Sequence, residues 1–342
     1  MINIFSLLDA LKLGSKGIYK IINKDLLVVS FEVTLSCVCN CQHCDLGGPK
    51  KEEKSMKPED YAKVVRDLKP LFVQISGGEP LLRKDIVEII KAVKQFERLP
   101  YAILVSNAAL LNEKKYLELK KAGVNQFSFS LDFPDKRHDD FRNYPGLFSH
   151  LENLMPQLAK YGFSDIIMNT AITKANYKEI IPIAKKAQEW GVMISYSAYT
   201  PLRTGNYDLS FKKEDIPELK EKIEELIELK KEARNIVTSE GVLREILQFF
   251  ETGFMPGCQA GTRFVVVMPD GAFVPCSMVR ERYDTLPELQ EKFVPQNKCG
   301  GCYVSIRCNS ERNLAKQLED LPSYINTIGN LLIKGNTTQK SN

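Results

Sequence analysis

Cys37, Cys41 and Cys44 stand at the spacing CxxxCxxC, with Cys39 and His43 between them. Three thiolates so placed suit an iron–sulfur cubane in which one iron has no protein ligand. Such an open iron is a catalytic site, because a substrate or cofactor can chelate it. A cluster that only carries electrons normally takes four cysteines. The competing chemistry is a structural zinc site on the same residues, with His43 as a ligand. Zinc sites more often show two separated CxxC pairs. A second group follows far downstream: Cys258, Cys276, Cys299, Cys302 and Cys308. Disulfides of a secreted protein rarely segregate in this way. The N-terminus lacks a basic n-region followed by an h-region, so a reducing, cytoplasmic compartment is expected, where clustered cysteines bind metal.

Of the 342 residues 44% are hydrophobic and 26% charged, and the formal net charge is +4. These values allow one large core plus an appendage and give no case for a nucleic-acid partner. No apolar run reaches transmembrane length. Ile4, Leu7, Leu8 and Leu11 fall at helical spacing, followed by Lys12, Lys16, Lys20 and Lys24. They predict a short amphipathic helix within residues 1–24 that caps the main domain. Peripheral membrane contact is the lesser reading.

The elements that position the cysteines alternate. Six β-rich runs occur at Leu26–Thr34, Leu71–Ser76, Tyr101–Ser106, Gln126–Leu131, Asp165–Ile172 and Val192–Tyr199. Helical patterns separate them: one opened by Pro58, one with Ile86, Ile89, Ile90 and Val93 on a single face, then Glu113–Ala122, Leu147–Tyr161 and Tyr177–Trp190. Regular alternation argues for parallel βα units. Six units are too few for a closed eight-fold barrel and suit an open barrel or a doubly wound sheet. Either way the chemistry belongs at the carboxyl ends of the strands. Leu209–Lys231 and Gly241–Phe250 read as helices bridging to the second cysteine group.

The run Cys37-Val-Cys-Asn-Cys41-Gln-His-Cys44, placed after the first strand, resembles the signature of the radical S-adenosylmethionine superfamily. The resemblance implies an α/β fold, a partial (β/α)6 TIM-like barrel, with Cys37, Cys41 and Cys44 holding a catalytic [4Fe–4S] cluster. In that family the open iron binds the amino and carboxylate groups of S-adenosylmethionine. One-electron reduction then yields a 5′-deoxyadenosyl radical that abstracts hydrogen from substrate. A reducing partner such as flavodoxin or ferredoxin is implied. His43 stands where the family usually has an aromatic residue near the adenine, and Cys39 has no counterpart among the ligands.

Further motifs carry the likeness along the chain. Ser76-Gly77-Gly78-Glu79-Pro80 resembles the GGEP step, which binds the cofactor's amino group. Glycines let backbone approach a ligand, and a carboxylate accepts from an ammonium. Val105-Ser106-Asn107 resembles the TNG step, with Ala108 where glycine is usual. Phe129-Ser130-Leu131-Asp132 resembles the SLD step, where a hydroxyl and a carboxylate face the ribose and cofactor. His138-Asp139-x-x-Arg142 also matches, and implies that Arg142 pairs with the cofactor carboxylate; the alternative is a surface ion pair. Asn169 with Thr170 either meets the adenine or methionine end or is plain strand. Arg203-Thr204-Gly205-Asn206 either faces substrate or makes an ordinary turn.

Cys258, then Gly271 to Cys276, reads as C-x12-G-x4-C around a hairpin of Phe264–Met268 and Ala272–Val274. With CxxCx5C at Cys299, Cys302 and Cys308 the segment resembles SPASM and twitch extensions. Arg312 stands where the complete SPASM pattern has a further cysteine. Five cysteines ligate one cubane fully but not two, so one auxiliary [4Fe–4S] cluster is expected. Cys258, Cys276, Cys299 and Cys302 are its favoured ligands and Cys308 the spare; a rubredoxin-like iron or zinc ribbon is the alternative.

The expected organisation is an N-terminal helix (1–24), the barrel (25–207), a helical linker (208–254), the auxiliary cluster domain (255–312), and a C-terminal helix with a disordered tail (313–342). The expected activity is reductive cleavage of S-adenosylmethionine and hydrogen abstraction from an unidentified small molecule, lipid precursor or peptide side chain. The alternative is a non-catalytic iron–sulfur or zinc electron carrier, which has no use for the strand-end motifs. With no cobalamin domain read before the barrel, B12-dependent methyl transfer is not expected. The short stretch before the first strand disfavours a peptide-leader domain, and missing paired C-terminal glycines disfavour GTP.

Overall fold

A computed structural model describes residues 7–50, 53–94, 99–312, 315–316 and 319. In chain order the elements are α1 (Leu7–Ile22), β1 (Val28–Glu32), α2 (Pro58–Leu68), β2 (Phe72–Ser76), α3 (Ile86–Lys94), β3 (Tyr101–Ser106), α4 (Glu113–Ala122) and β4 (Gln126–Ser130). Then come α5 (Arg137–Arg142), α6 (Leu147–Ala159), β5 (Ile166–Ile172), α7 (Ile180–Glu189) and β6 (Met193–Ala198). The last are α8 (Ile216–Glu232), α9 (Glu240–Thr252), β7 (Phe264–Val267), β8 (Phe273–Val274), α10 (Leu286–Lys292) and α11 (Ser305–Ser310). All six expected strands form, within two residues of their expected limits. The C-terminal helix and tail expected over 313–342 lie almost wholly outside the described residues.

The chain divides into two compact units. The first comprises Met1–Asn40, Cys44–Ser128 and Cys258–Lys298. Its strands run in the order β3-β2-β1-β7-β8, all parallel except the final antiparallel pair. β7 is the finding that sequence patterning did not contain: the first strand of the expected hairpin lies in parallel beside β1, Val28 opposite Phe264. Period-two alternation builds the core, because Val29 and Phe31, Val73 and Ile75, Ala102 and Leu104 are all fully buried. Tyr61 of α2 meets Phe31 edge-on, ring centroids 5.0 Å apart. Burying one such phenyl ring stabilises by about 2–3 kcal/mol. The parallel register brings Glu32 opposite Ser76 and Ile75 opposite Leu104. The loops after β1, β2 and β3 therefore leave from one edge, the carboxyl edge where α/β sheets place ligands.

The second unit comprises Cys41–His43, Phe129–Gly257 and Cys299–Asn342. β5 and β6 pair in parallel, Ile167 opposite Met193 through Ile172 opposite Ala198. α9 starts at a capping serine, whose Oγ accepts from Val242 N–H at 3.2 Å, and stops at Gly253 in left-handed conformation. The helix expected from Leu209 begins seven residues later. Asn206 accepts from Asp208 N–H and Asp215 from Lys212 N–H, and these local bonds fold 207–215 into short 3₁₀ turns.

Candidate active site

In the first unit, the segment after β1 carries Cys37 and Cys44, both half-buried. Cys37 donates its N–H to Gly48 O at 3.1 Å. Its Sγ accepts from Cys39 N–H at 3.4 Å and from Asn107 Nδ2 at 3.6 Å. Hydrogen bonds of this kind favour a thiolate and tune the potential of a cluster bound to it. Glu53 steadies the approach to the loop, accepting from Thr34 Oγ1 at 2.6 Å and Leu35 N–H at 2.5 Å.

Gly77 and Gly78 fasten the loop after β2 to the loop after β1. Gly78 N–H donates to Thr34 O at 2.7 Å and Glu79 N–H to Ser36 O at 2.8 Å. A Cβ on Gly77 would sit 2.2 Å from Thr34 O, and one on Gly78 would sit 2.1 Å from Ser36 O. No other residue type fits there. Glu79 is fully buried. Its carboxylate accepts from Leu81 N–H at 3.0 Å, Ser106 Oγ at 2.8 Å and Asn107 N–H at 2.9 Å. It therefore knits the ends of β2 and β3 together. Ser76 Oγ is likewise turned inward, onto Phe31 O at 3.3 Å. Ala108 holds φ +61°, the left-handed region that explains glycine's usual place at this step.

In the second unit, the segment Cys41–His43 is tied to α5. Gln42 N–H donates to Phe141 O at 3.0 Å, and Asn206 Nδ2 donates to Gln42 O at 3.0 Å. The His43 ring stacks on Phe141, centroids 4.9 Å apart and nearly parallel. His43 is thus placed as an aromatic plane. Burial pushes it down to about 4, with Asp132 opposing and Arg142 reinforcing, so the ring is neutral. Its Nδ1 is shut off from water without a hydrogen-bond partner.

Asp132, just beyond β4, is fully buried. Arg142 Nε donates to its Oδ2 at 2.7 Å, while Arg142 NH1 lies 3.8 Å from Cys41 Sγ. The alternative of a surface pair for Arg142 is replaced by a buried one. Burial is the largest single influence and resists ionisation of Asp132, but Arg142, His43 and His138 together hold the carboxyl below its usual range. Asp132 Oδ1 has no partner. His138, also fully buried, accepts Asp132 N–H at Nδ1, 3.1 Å away, so its proton is on Nε2. Asn169 on β5 is half-buried and accepts from Ser195 Oγ. Ser130 is half-buried at the end of β4.

The downstream cysteines differ from one another. In the first unit Cys276 is buried and accepts Val279 N–H at 3.2 Å; the carbonyl of half-buried Cys258 accepts from Asn297 Nδ2 at 2.9 Å. In the second unit Cys299 is half-buried and Cys302 buried. Burial raises the Cys302 thiol above its ordinary value. Arg307, wholly buried, donates to Cys302 O at 2.5 Å, Met255 O at 2.7 Å and Pro256 O at 3.0 Å. Cys308 points into α11 and donates to Ser305 O at 3.3 Å. Burial pushes its thiol up to about 12. Arg312, in place of the absent cysteine, is buried against Glu245 at 2.7 Å.

Sequence reasoning missed Glu53, Phe141 and Arg307, which act through sequence-distant partners and carry no spacing signal. In the first unit the donors on Cys37 suit a thiolate; in the second, Arg142 beside Cys41 and the Asp132 Oδ1 without a hydrogen-bond partner suit a thiolate and a polar ligand.

Residues 31–187 match the model of the radical SAM superfamily. An AdoMet-dependent heme synthase of Methanosarcina barkeri is 27% identical over 319 residues, 82% of this chain and 89% of the relative. A probable GTP 3′,8-cyclase of Saccharolobus islandicus is 28% identical over 242 residues, 66% of this chain and 76% of the relative. Among solved structures, Streptococcus suis SuiB bound to S-adenosylmethionine aligns with TM-score 0.57 at 21% identity, covering 94% of this chain and 74% of SuiB. That likeness is one of fold, and the expected α/β partial barrel with an unclosed parallel sheet stands.

Proposed function

This chain is a radical SAM superfamily enzyme that works with a [4Fe–4S] cluster and S-adenosylmethionine, and from that premise we propose that Cys37, Cys41 and Cys44 hold the cluster with one iron open. When bound, the cluster and S-adenosylmethionine supply one-electron chemistry and a 5′-deoxyadenosyl radical that removes hydrogen from an organic substrate. The observation that carries this assignment is the set of donors on the sulfurs: Cys39 N–H and Asn107 on Cys37, and Arg142 beside Cys41.

The chain's own residues bind and orient. Gly77 and Gly78 bring main chain to the carboxyl edge, and buried Glu79 fixes the loop that presents it. His43, neutral and stacked on Phe141, offers a flat face to an adenine. Ser130, Asp132 and Asn169 offer polar groups to the ribose and methionine ends, and Asp132 retains an acceptor lacking a donor. Asp132 also holds the Arg142 guanidinium in place beside Cys41.

Cys258, Cys276, Cys299 and Cys302 hold one auxiliary [4Fe–4S] cluster, with Cys308 outside the ligand set. A small reductant such as flavodoxin or ferredoxin supplies the electron. The activities for which the relatives are named, heme synthesis and GTP cyclisation, differ, so the substrate is assigned only as an organic molecule with an abstractable hydrogen. Anaerobic reconstitution with iron, sulfide, dithionite and S-adenosylmethionine tests the proposal. Formation of 5′-deoxyadenosine by a protein holding about eight irons supports it. An iron-loaded protein that forms none overturns it.

A further inference from the structure

The catalytic assignment leaves one apolar surface unused. On α1, Leu8, Leu11, Ile18, Tyr19 and Ile22 are 70%, 62%, 50%, 65% and 64% exposed. With 3.6 residues per turn these five fall in one stripe about 100° wide. The other side of the helix does the packing: Asp9 is buried, Leu13, Gly17 and Ile21 are half-buried, and Gly17 lies near Leu71. The helix is therefore apolar on two opposite faces, and among the described residues the fold uses one.

The support beneath the stripe is firm. Arg263 donates to Lys20 O at 3.2 Å and Ile21 O at 2.8 Å, gripping the last carbonyls of α1. Asn23 N–H closes on Tyr19 O at 3.1 Å.

Charge decides what the stripe fits. Lys12 and Lys16 are exposed along one border of it, and Lys24 lies just past its end, followed by Asp25. Lys20 is turned inward, its Nζ on Leu26 O at 3.0 Å. The helix's one acidic residue, Asp9, is buried. Two copies of this surface pressed together would set lysine beside lysine, with no exposed carboxylate on either helix to pair them. An anionic bilayer surface complements both features: it takes the apolar stripe into the acyl boundary and the lysines at its headgroups.

We propose that α1 docks in the plane of an anionic membrane through Leu8, Leu11, Ile18, Tyr19 and Ile22, with Lys12, Lys16 and Lys24 on the headgroups. The helix lies on the bilayer and does not cross it; no described helix is long and apolar enough to span one. This surface is independent of the catalytic assignment.

The test is flotation of the full chain with vesicles of phosphatidylcholine alone, or with about one third phosphatidylglycerol. Binding is expected to the anionic vesicles and to weaken as salt rises. Lys12→Glu with Lys16→Glu is expected to cut partitioning roughly thirtyfold while circular dichroism stays unchanged. Leu11→Asn with Ile18→Asn and Ile22→Asn is expected to abolish it, with 5′-deoxyadenosine formation intact. Absence of flotation overturns the proposal, as does equal flotation of the asparagine variant. So does a dimer in light scattering that the asparagine variant splits.

Discussion

Arg142 and Asp132 form an ion pair 2.7 Å long with both side chains almost wholly withdrawn from water. The pair links the second residue after β4 to the last residue of α5, and the guanidinium's other arm reaches the Cys41 sulfur. A buried pair contributes little against a well-packed apolar replacement, yet losing one partner strands a charge. Its position beside a proposed cluster ligand makes it a positioning pair as well as a structural one.

Asp132→Ala is therefore expected to destabilise the fold by about 3–5 kcal/mol, read from the urea midpoint. Replacing both residues, Asp132→Leu with Arg142→Met, is expected to recover most of that loss while the cluster's reduction potential shifts, because the positive charge beside Cys41 is gone. If the double variant is no more stable than Asp132→Ala, the stranded charge is not what costs stability.

His138 sets a pH dependence. Its folded-state value is pushed down to about 4, chiefly by burial, against about 6.5 in an unfolded chain. The unfolded chain binds its proton first as pH falls. Stability is fully present above about pH 6.5 and declines toward pH 4, by up to about 3 kcal/mol from this group. Urea midpoints across that range, compared with His138→Gln, read the effect; equal slopes for the two proteins would refute it.

The downstream cysteines are expected to separate by iron content. Cys276→Ala removes a sulfur that accepts a backbone N–H, and should cost about four irons on reconstitution. Cys308→Ala removes a thiol that donates to its own helix and should leave the iron count unchanged. Iron and sulfide assays decide, and equal loss in both variants would place Cys308 among the ligands.

The strands were legible because their chemistry is local. Val73 and Ile75 alternate with half-buried neighbours, and Tyr101–Ser106 keeps the same period. Glu113–Ala122 could be read to the residue because Asn112 and Gly123 cap it. α8 starts later than its pattern predicts because Asn206 and Asp215 turn backbone donors away from a helix. At the site, residue types and spacing pointed to the motifs, but the hydrogen bonds between them were not legible. Glu79 reads as a ligand-facing carboxylate, and only the folded chain shows that it also accepts from Ser106 and Asn107. Phe141 follows His43 by nearly a hundred residues, and only the folded chain stacks the two rings.

The parallel pairing of β1 with β7 has a consequence during synthesis. Val28–Phe31 must wait for Phe264–Val267 before that flank of the strand is covered. At ordinary translation rates the delay is roughly ten seconds to a minute. Throughout it, a bare row of main-chain donors and acceptors beside the cysteine loop stands open to strands of other nascent chains. A ribosome that stalls before codon 264 leaves a fragment whose opening strand has no intended neighbour on one side, and such fragments are where inclusion bodies of this protein would be seeded.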